Sequence, residues 1–208
     1  MATRDYVRKV ASMFPDDWKA LCGRMHMLAE EINGYGKDVQ LIGIYLDGLP
    51  IARAVGHSLK RRFNKESLVY TVLVSSKLGL VDKPNIEGLC RLGRPGGKRI
   101  YIDRRTKTGS LGKMLKELDP DGKYAVLEDP DEKADIRASK ETVPWFNWPG
   151  RIWGPKVMAE RTGPFIGIRV APTLDGEGFL YNPVRGEATD VFYKELYERM
   201  DRTQPKTH

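Results

Sequence analysis

The chain has 208 residues but only two cysteines, Cys22 and Cys90, and three histidines. Two cysteines are too few for a disulfide framework. Cys22 falls in an apolar helical stripe, where a buried free thiol is the ordinary reading. His26, His57 and His208 show no metal-ligand spacing, so no metal site is expected from them. No apolar run approaches the ~20 residues of a membrane span. The opening stretch Met-Ala-Thr-Arg-Asp-Tyr-Val-Arg-Lys lacks the apolar core of a signal peptide. No membrane partner is expected, and the cytoplasm is the default location. Internal repeats and low-complexity tracts are also missing.

What is present suits one soluble domain with an elaborated end. Hydrophobic residues make up 40% of the chain and charged residues 30%, enough for a real core at this length. The net charge of +7 is unevenly placed. Lys60-Arg61-Arg62, then Arg91, Arg94, Lys98 and Arg99, then Arg104, Arg105 and Lys107 hold much of the surplus. Two readings stand open: a face for the phosphates of a nucleotide or nucleic acid, or ordinary solvated surfaces.

Periodicity gives the architecture. Trp18, Leu21, Cys22, Met25, Leu28, Ala29 and Ile32 form one apolar helical face, started near Pro15 and stopped by Gly34 and Gly36. Val39 to Tyr45 is a continuous apolar run of the kind buried on both faces of a parallel sheet. After Leu46-Asp47-Gly48, Pro50 suits the first turn of a helix carrying Ile51, Ala52, Val55 and Leu59, and Leu68 to Val74 reads as the next strand. Ile100 to Ile102, a polar turn, a helix with Leu111, Met114, Leu115 and Leu118, and the strand Tyr124 to Leu127 repeat the pattern. Two βαβ units predict a doubly wound, mainly parallel α/β sheet, with ligands bound beyond the carboxyl ends of the strands.

Ser75 to Lys98, with five glycines, reads as a long loop, either a functional lid or disordered. Past residue 130 the pattern loosens. Trp145, Phe146, Trp148, Pro149 and Trp153 cluster, either to stack a base or RNA or to pack a core or a homo-oligomer contact. Phe165 to Ala171 reads as a strand, and Val191, Phe192, Leu196 and Met200 as a closing helix. The expected division is an α/β core over 1–130 and a hood over 131–208 packed on the same domain.

The segment Arg99-Ile-Tyr-Ile-Asp-Arg-Arg-Thr-Lys-Thr-Gly-Ser-Leu111 carries the chemistry. A strand enters Asp103, then a polar turn ending Thr108-Gly109-Ser110, then a helix. Successive backbone N–H groups beside a helix N-terminus cradle a phosphate. The segment resembles the ribose-phosphate loop of type I phosphoribosyltransferases: four apolar, two acidic and two apolar residues, one variable residue, then Thr-Gly-Gly-Thr. Over residues 15–130 the order of elements is similar to that family's fold. Leu41-Ile42-Gly43-Ile44 matches its first core strand, Leu46-Asp47-Gly48 its pyrophosphate turn, and 75–98 its flexible catalytic loop.

The resemblance implies a phosphorylated ribose or nucleotide as ligand, held by Asp103, Arg104, Lys107, Thr108, Gly109, Ser110 and Leu111 with the turn Leu46, Asp47 and Gly48 beside them. It implies magnesium if the protein is active. No other cofactor is implied, and no catalytic residue is assigned. The departures fall on the chemistry. Arg104 stands at the second acidic position and cannot ligate a hard cation. Asp47 puts a carboxylate where pyrophosphate would lie, and Lys107 replaces an acid found in purine-salvage members. Asp47 and Arg104, of opposite charge on neighbouring turns, form either an ion pair across the crevice or two unrelated surface residues. Three functions follow: a transferase, a non-catalytic ligand-responsive regulator using the basic face for RNA or DNA, or a scaffold that binds nothing.

Overall fold

In the computed structural model of the chain, the described residues are 15–36, 38–44, 48–72, 74–75, 80–81, 83–92, 97–106, 108–142, 168–172, 179–183 and 187–203. Five helices, α1 (Pro15–Asn33), α2 (Gly48–Phe63), α3 (Lys83–Leu92), α4 (Ser110–Leu118) and α5 (Glu187–Thr203), accompany nine strands among them. Five strands make the central sheet: β1 (Val39–Ile44), β2 (Ser67–Val72), β5 (Lys98–Arg105), β6 (Lys123–Glu128) and β7 (Ile136–Ser139). Their order is β2-β1-β5-β6-β7, and every pairing is parallel. The doubly wound α/β fold expected from the sequence is present.

Alternation along the strands sorts the core into two layers. Val39 and Leu41 of β1 and Ile100 and Ile102 of β5 pack with α1, α2 and α5. Ile42 and Ile44 of β1 and Tyr101 of β5 pack with α3 and α4. Of the apolar stripe of α1, Leu21, Cys22, Met25, Leu28, Ala29 and Ile32 are buried, and burial pushes the Cys22 thiol up to about 11, so it stays a neutral packing group. Leu196 and Met200 of α5 complete this layer. There, buried His26 donates from Nε2 to the Met200 carbonyl at 2.9 Å and accepts at Nδ1 from the Ser58 hydroxyl at 2.8 Å. Burial lowers the His26 pKa and so favours this neutral form.

Four sequence readings change. The segment 75–98 is not a bare loop: β3 (Val74–Ser75) and β4 (Leu80–Val81) form an antiparallel hairpin, and α3 follows. Ile86 and Leu89 of α3 are buried against the second layer, a short i, i+3 stripe overshadowed by the glycines. The strand expected to run to Val74 ends at Val72, and Val74 belongs to the hairpin. β5 runs on through Asp103 and Arg104 to Arg105, because Asp103 and Arg105 keep their parallel pairing with Val126 and Glu128 of β6. Those residues are therefore strand, not turn. Past residue 130, β7 extends the sheet, while β8 (Ile168–Pro172) and β9 (Phe179–Pro183) pair antiparallel where one strand was expected. The tryptophan cluster 145–153 lies outside the described residues.

Candidate functional site

The sheet order reverses between β1 and β5. β1 leads through α2 to β2 on one side, and β5 leads through α4 to β6 on the other. The two helices cover opposite faces, so a crevice opens at the carboxyl ends of β1 and β5, the usual place for a ligand in an open α/β sheet. Two turns border it. On the β1 side, a Cβ on Gly48 would overlap the Ile102 carbonyl oxygen, and one on Gly43 would come within 2.5 Å of Leu49 Cα. Only glycine lets the start of α2 press against β5, one residue before Asp103. Leu46 and Asp47 of this turn lie outside the described residues.

On the β5 side, the Thr106 amide donates to the Glu128 carbonyl at 3.3 Å and closes the strand. Lys107 lies outside the described residues. The Thr108 hydroxyl lies 2.7 Å from Ser110 Oγ and accepts from the Ser110 amide at 3.3 Å. Gly109, the N-cap of α4, has φ of 75°, a left-handed conformation natural to glycine, and supplies no side-chain cap. The first turn of α4 holds no acidic residue to oppose the positive end of the helix dipole. Its early amides have no intrahelical acceptor, which is the basis of anion binding at helix starts. Leu111 turns inward and packs on the second core layer. Across Gly109 lies Lys133, whose side-chain carbons stand 3.2–3.5 Å from where a Cβ would be.

Asp103 is half-buried, and its Oδ1 accepts from the Arg104 amide at 2.6 Å. Arg104 is buried, with Nη2 4.0 Å from Glu128 Oε2; Glu128 Oε1 in turn lies 3.6 Å from Arg24 of α1. This donor set does not fit a magnesium ion. One carboxylate already takes a backbone amide, the neighbouring group is a buried guanidinium, and Glu128 answers two arginines. Among the described residues no group of three or more candidate metal ligands occurs.

Asp129 stands just past β6 at the same sheet edge, while Tyr124, the second residue of β6 and the register partner of Tyr101, reaches towards Asp103 with its hydroxyl. The Tyr124 ring packs beneath Gly112 of α4. Burial first, then the charge of Asp103, holds its phenol far above the usual range, so it stays protonated. Its hydroxyl lies near Thr106 and Asp103 without reaching hydrogen-bond geometry with either. Asp129 is fully buried. Its Oδ2 accepts from the Ala134 amide at 2.7 Å, while Oδ1 has no partner. Arg105 Nε is also buried without a partner. An unmatched buried polar group costs about 1–3 kcal/mol, so such a concentration calls for a reason.

The cations do not form one face among the described residues. Lys60, Arg61 and Arg62 end α2 at the amino edge of the sheet, opposite the crevice, and pair with Glu66, Asp201 and Glu30. Arg99, at the start of β5, is held by Asp119 through bonds of 2.6 and 2.7 Å. Arg104 and Arg105 stand at the crevice edge. Arg94 is outside the described residues.

No protein-family model matches the chain, and no curated protein matches it. Solved structures similar to the chain at low identity include the following three. A hypoxanthine phosphoribosyltransferase from Staphylococcus aureus is 17% identical, over 64% of this chain and 80% of that one, with a TM-score of 0.40. An orotate phosphoribosyltransferase from Mycobacterium tuberculosis H37Rv, in complex with inorganic phosphate, is 18% identical over 57% and 68%, with a TM-score of 0.33. A hypoxanthine phosphoribosyltransferase from Trypanosoma cruzi, in complex with the product IMP, is 16% identical over 67% and 78%, with a TM-score of 0.39. A likeness of this depth assigns no residue a role.

Sequence reasoning missed Lys133, Tyr124, Glu128 and Asp129. A signal for the last two was present: Glu128-Asp129-Pro130-Asp131 follows directly on the apolar run Ala125-Val126-Leu127, an acidic cluster at the carboxyl end of a buried strand.

Proposed function

We propose that the chain binds a phosphorylated ribose or nucleotide in the crevice between β1 and β5. The phosphate is held by the Thr108-Gly109-Ser110 turn and the first amides of α4, and transferase turnover is largely lost. The observation that carries this reading is the close approach of Gly48 to the Ile102 carbonyl. It brings both glycine turns to one edge of the sheet at the point where strand order reverses. Lys107, from the sequence, and Lys133, whose chain crosses Gly109, add positive charge at the anion site. Arg104, buried beside Glu128, stands where a metal-facing acid would be needed for catalysis.

Calorimetry with ribose 5-phosphate and AMP, with magnesium and with EDTA, tests this. Binding of either ligand that survives EDTA and disappears in Gly109→Val supports the site. Binding that needs magnesium, or that Gly109→Val leaves unchanged, overturns it. A regulator acting on nucleic acid through a basic face gains no support from the described cations, which divide between opposite edges of the sheet.

A further inference from the structure

Asp129, just past the carboxyl end of β6, and Tyr124, whose hydroxyl reaches from the start of β6 towards Asp103, are buried with one polar atom each unmatched. We propose that they form an inner subsite that takes a neutral hydrogen-bond donor of the ligand, a sugar O–H or a base N–H. The inference rests on the binding reading above and deepens it.

Three features point to a ligand. The turn after β6 is built around the Asp129 carboxylate, with Oδ2 fixed by the Ala134 amide, so Oδ1 is presented rather than left free to rotate. A carboxylate oxygen is an acceptor only, and its natural complement is an N–H or O–H group. The Tyr124 hydroxyl lies close enough to Asp103 and Asp129 to feel both charges, yet hydrogen-bonds to neither. Asp103, whose charge the Tyr124 hydroxyl feels, is half-buried and so reaches solvent at the crevice edge.

Access runs under the 129–135 turn. On its outer side that turn is held by Lys116–Asp135 at 2.7 Å and Lys133–Asp131 at 2.9 Å, both with exposed lysines. Such pairs contribute little, so the movement we assign is confined to the tip, 130–133, while the Asp129 and Asp135 amides keep the base of the turn on the Ser139 and Tyr124 carbonyls at 2.9 Å each. Lys133 also covers Gly109, so the same movement uncovers the phosphate turn.

The test measures Kd by calorimetry for inorganic phosphate, ribose 5-phosphate and AMP with the unmodified protein, Asp129→Asn and Tyr124→Phe. Tyr124→Phe keeps the ring against Gly112 and decides the matter if Asp129→Asn does not fold. We expect phosphate affinity to hold while AMP weakens by about tenfold or more. Equal weakening of ribose 5-phosphate assigns a sugar hydroxyl as the donor; weakening of AMP alone assigns a base N–H. Unchanged affinities, as a mere buried water would give, or parallel loss of phosphate binding, overturn the subsite and leave the phosphate site standing. If the unmodified protein binds none of the three, both readings fall.

Discussion

The Arg104 guanidinium stands 4.0 Å from the Glu128 carboxylate, and the two side chains are only 4% and 2% exposed. Arg24 of α1 approaches the same carboxylate at 3.6 Å. Glu128 is thus an anionic bridge between α1 and the end of β5. Removing one member of a buried pair strands the other charge, at about 3–5 kcal/mol. Glu128→Gln should lower the urea-unfolding free energy by that order. A loss under about 1 kcal/mol would mean that water reaches both arginines.

The same geometry bears on Arg104→Asp, which on sequence grounds returns the segment to the family pattern. In the fold it sets a new carboxylate against Glu128. We expect a marked fall in melting temperature and no recovery on adding magnesium. A melting temperature that rises with magnesium would show that the metal restores the site.

Gly109 has two reasons to be glycine, its φ of 75° and the Lys133 chain lying over it. Gly109→Ala should cost about 1 kcal/mol from the backbone alone. Lys133→Met keeps the packing and removes the charge. It should leave the melting temperature nearly unchanged, weaken inorganic phosphate binding, and flatten the dependence of that binding on salt. An unaltered salt dependence would remove Lys133 from the phosphate site.

How much of this was legible in the sequence depends on range. The stripe Leu21 to Ile32 of α1, the run read as Val39 to Tyr45 and the helix after Gly109 are local patterns; the stripe is buried, the run is strand as far as Ile44 with Tyr45 outside the described residues, and α4 starts at Ser110. β5 was cut short because charged Asp103, Arg104 and Arg105 look like turn residues. Their strand pairing depends on β6, and the burial of Arg104 depends on Glu128, 24 positions later. α3 was hidden because its apolar stripe is only Ile86, Leu89 and Cys90 amid glycines. Lys133 meets Gly109 only through the path of the turn after β6, which no local pattern states.

His26 makes an acid-sensitive joint between α1, α2 and α5. Its folded pKa lies below the ordinary 6.5, mainly through burial, with Arg62 and His57 acting in the same sense and Glu30 against it. The unfolded chain therefore binds the proton more readily than the folded one. Stability from this group is complete above about pH 6.5 and is lost as pH falls towards the folded pKa, by at most about 1.4 kcal/mol per pH unit. Urea unfolding from pH 7.5 to 5 should show that slope, and His26→Gln should reduce it. An unchanged slope would place the acid sensitivity elsewhere.

The last prediction concerns turnover. Expelling pyrophosphate from a phosphoribosyl donor needs charge stabilised on the departing group, usually by a metal and aligned donors. In the resemblance drawn from the sequence, Arg104 takes the position of the second metal-facing acid, and here it is buried beside Glu128. Asp103 is already engaged by the Arg104 amide, and the sequence places Asp47 in the turn where pyrophosphate would lie. Like charge in a site of reduced dielectric opposes the leaving group by roughly a few kcal/mol, which at 1.4 kcal/mol per factor of ten is a slowing of about a hundredfold or more. Loss of metal binding adds to it. With phosphoribosyl pyrophosphate, magnesium and any common base, pyrophosphate release should stay far below the ~10 s⁻¹ typical of enzymes. Asp47→Gly should strengthen binding of pyrophosphate itself without creating turnover, because it removes the repulsion but not the missing ligand. Turnover near the ordinary enzymatic rate in the unmodified protein would mean that Arg104 serves the leaving group directly and that the substitution is an alternative catalytic solution.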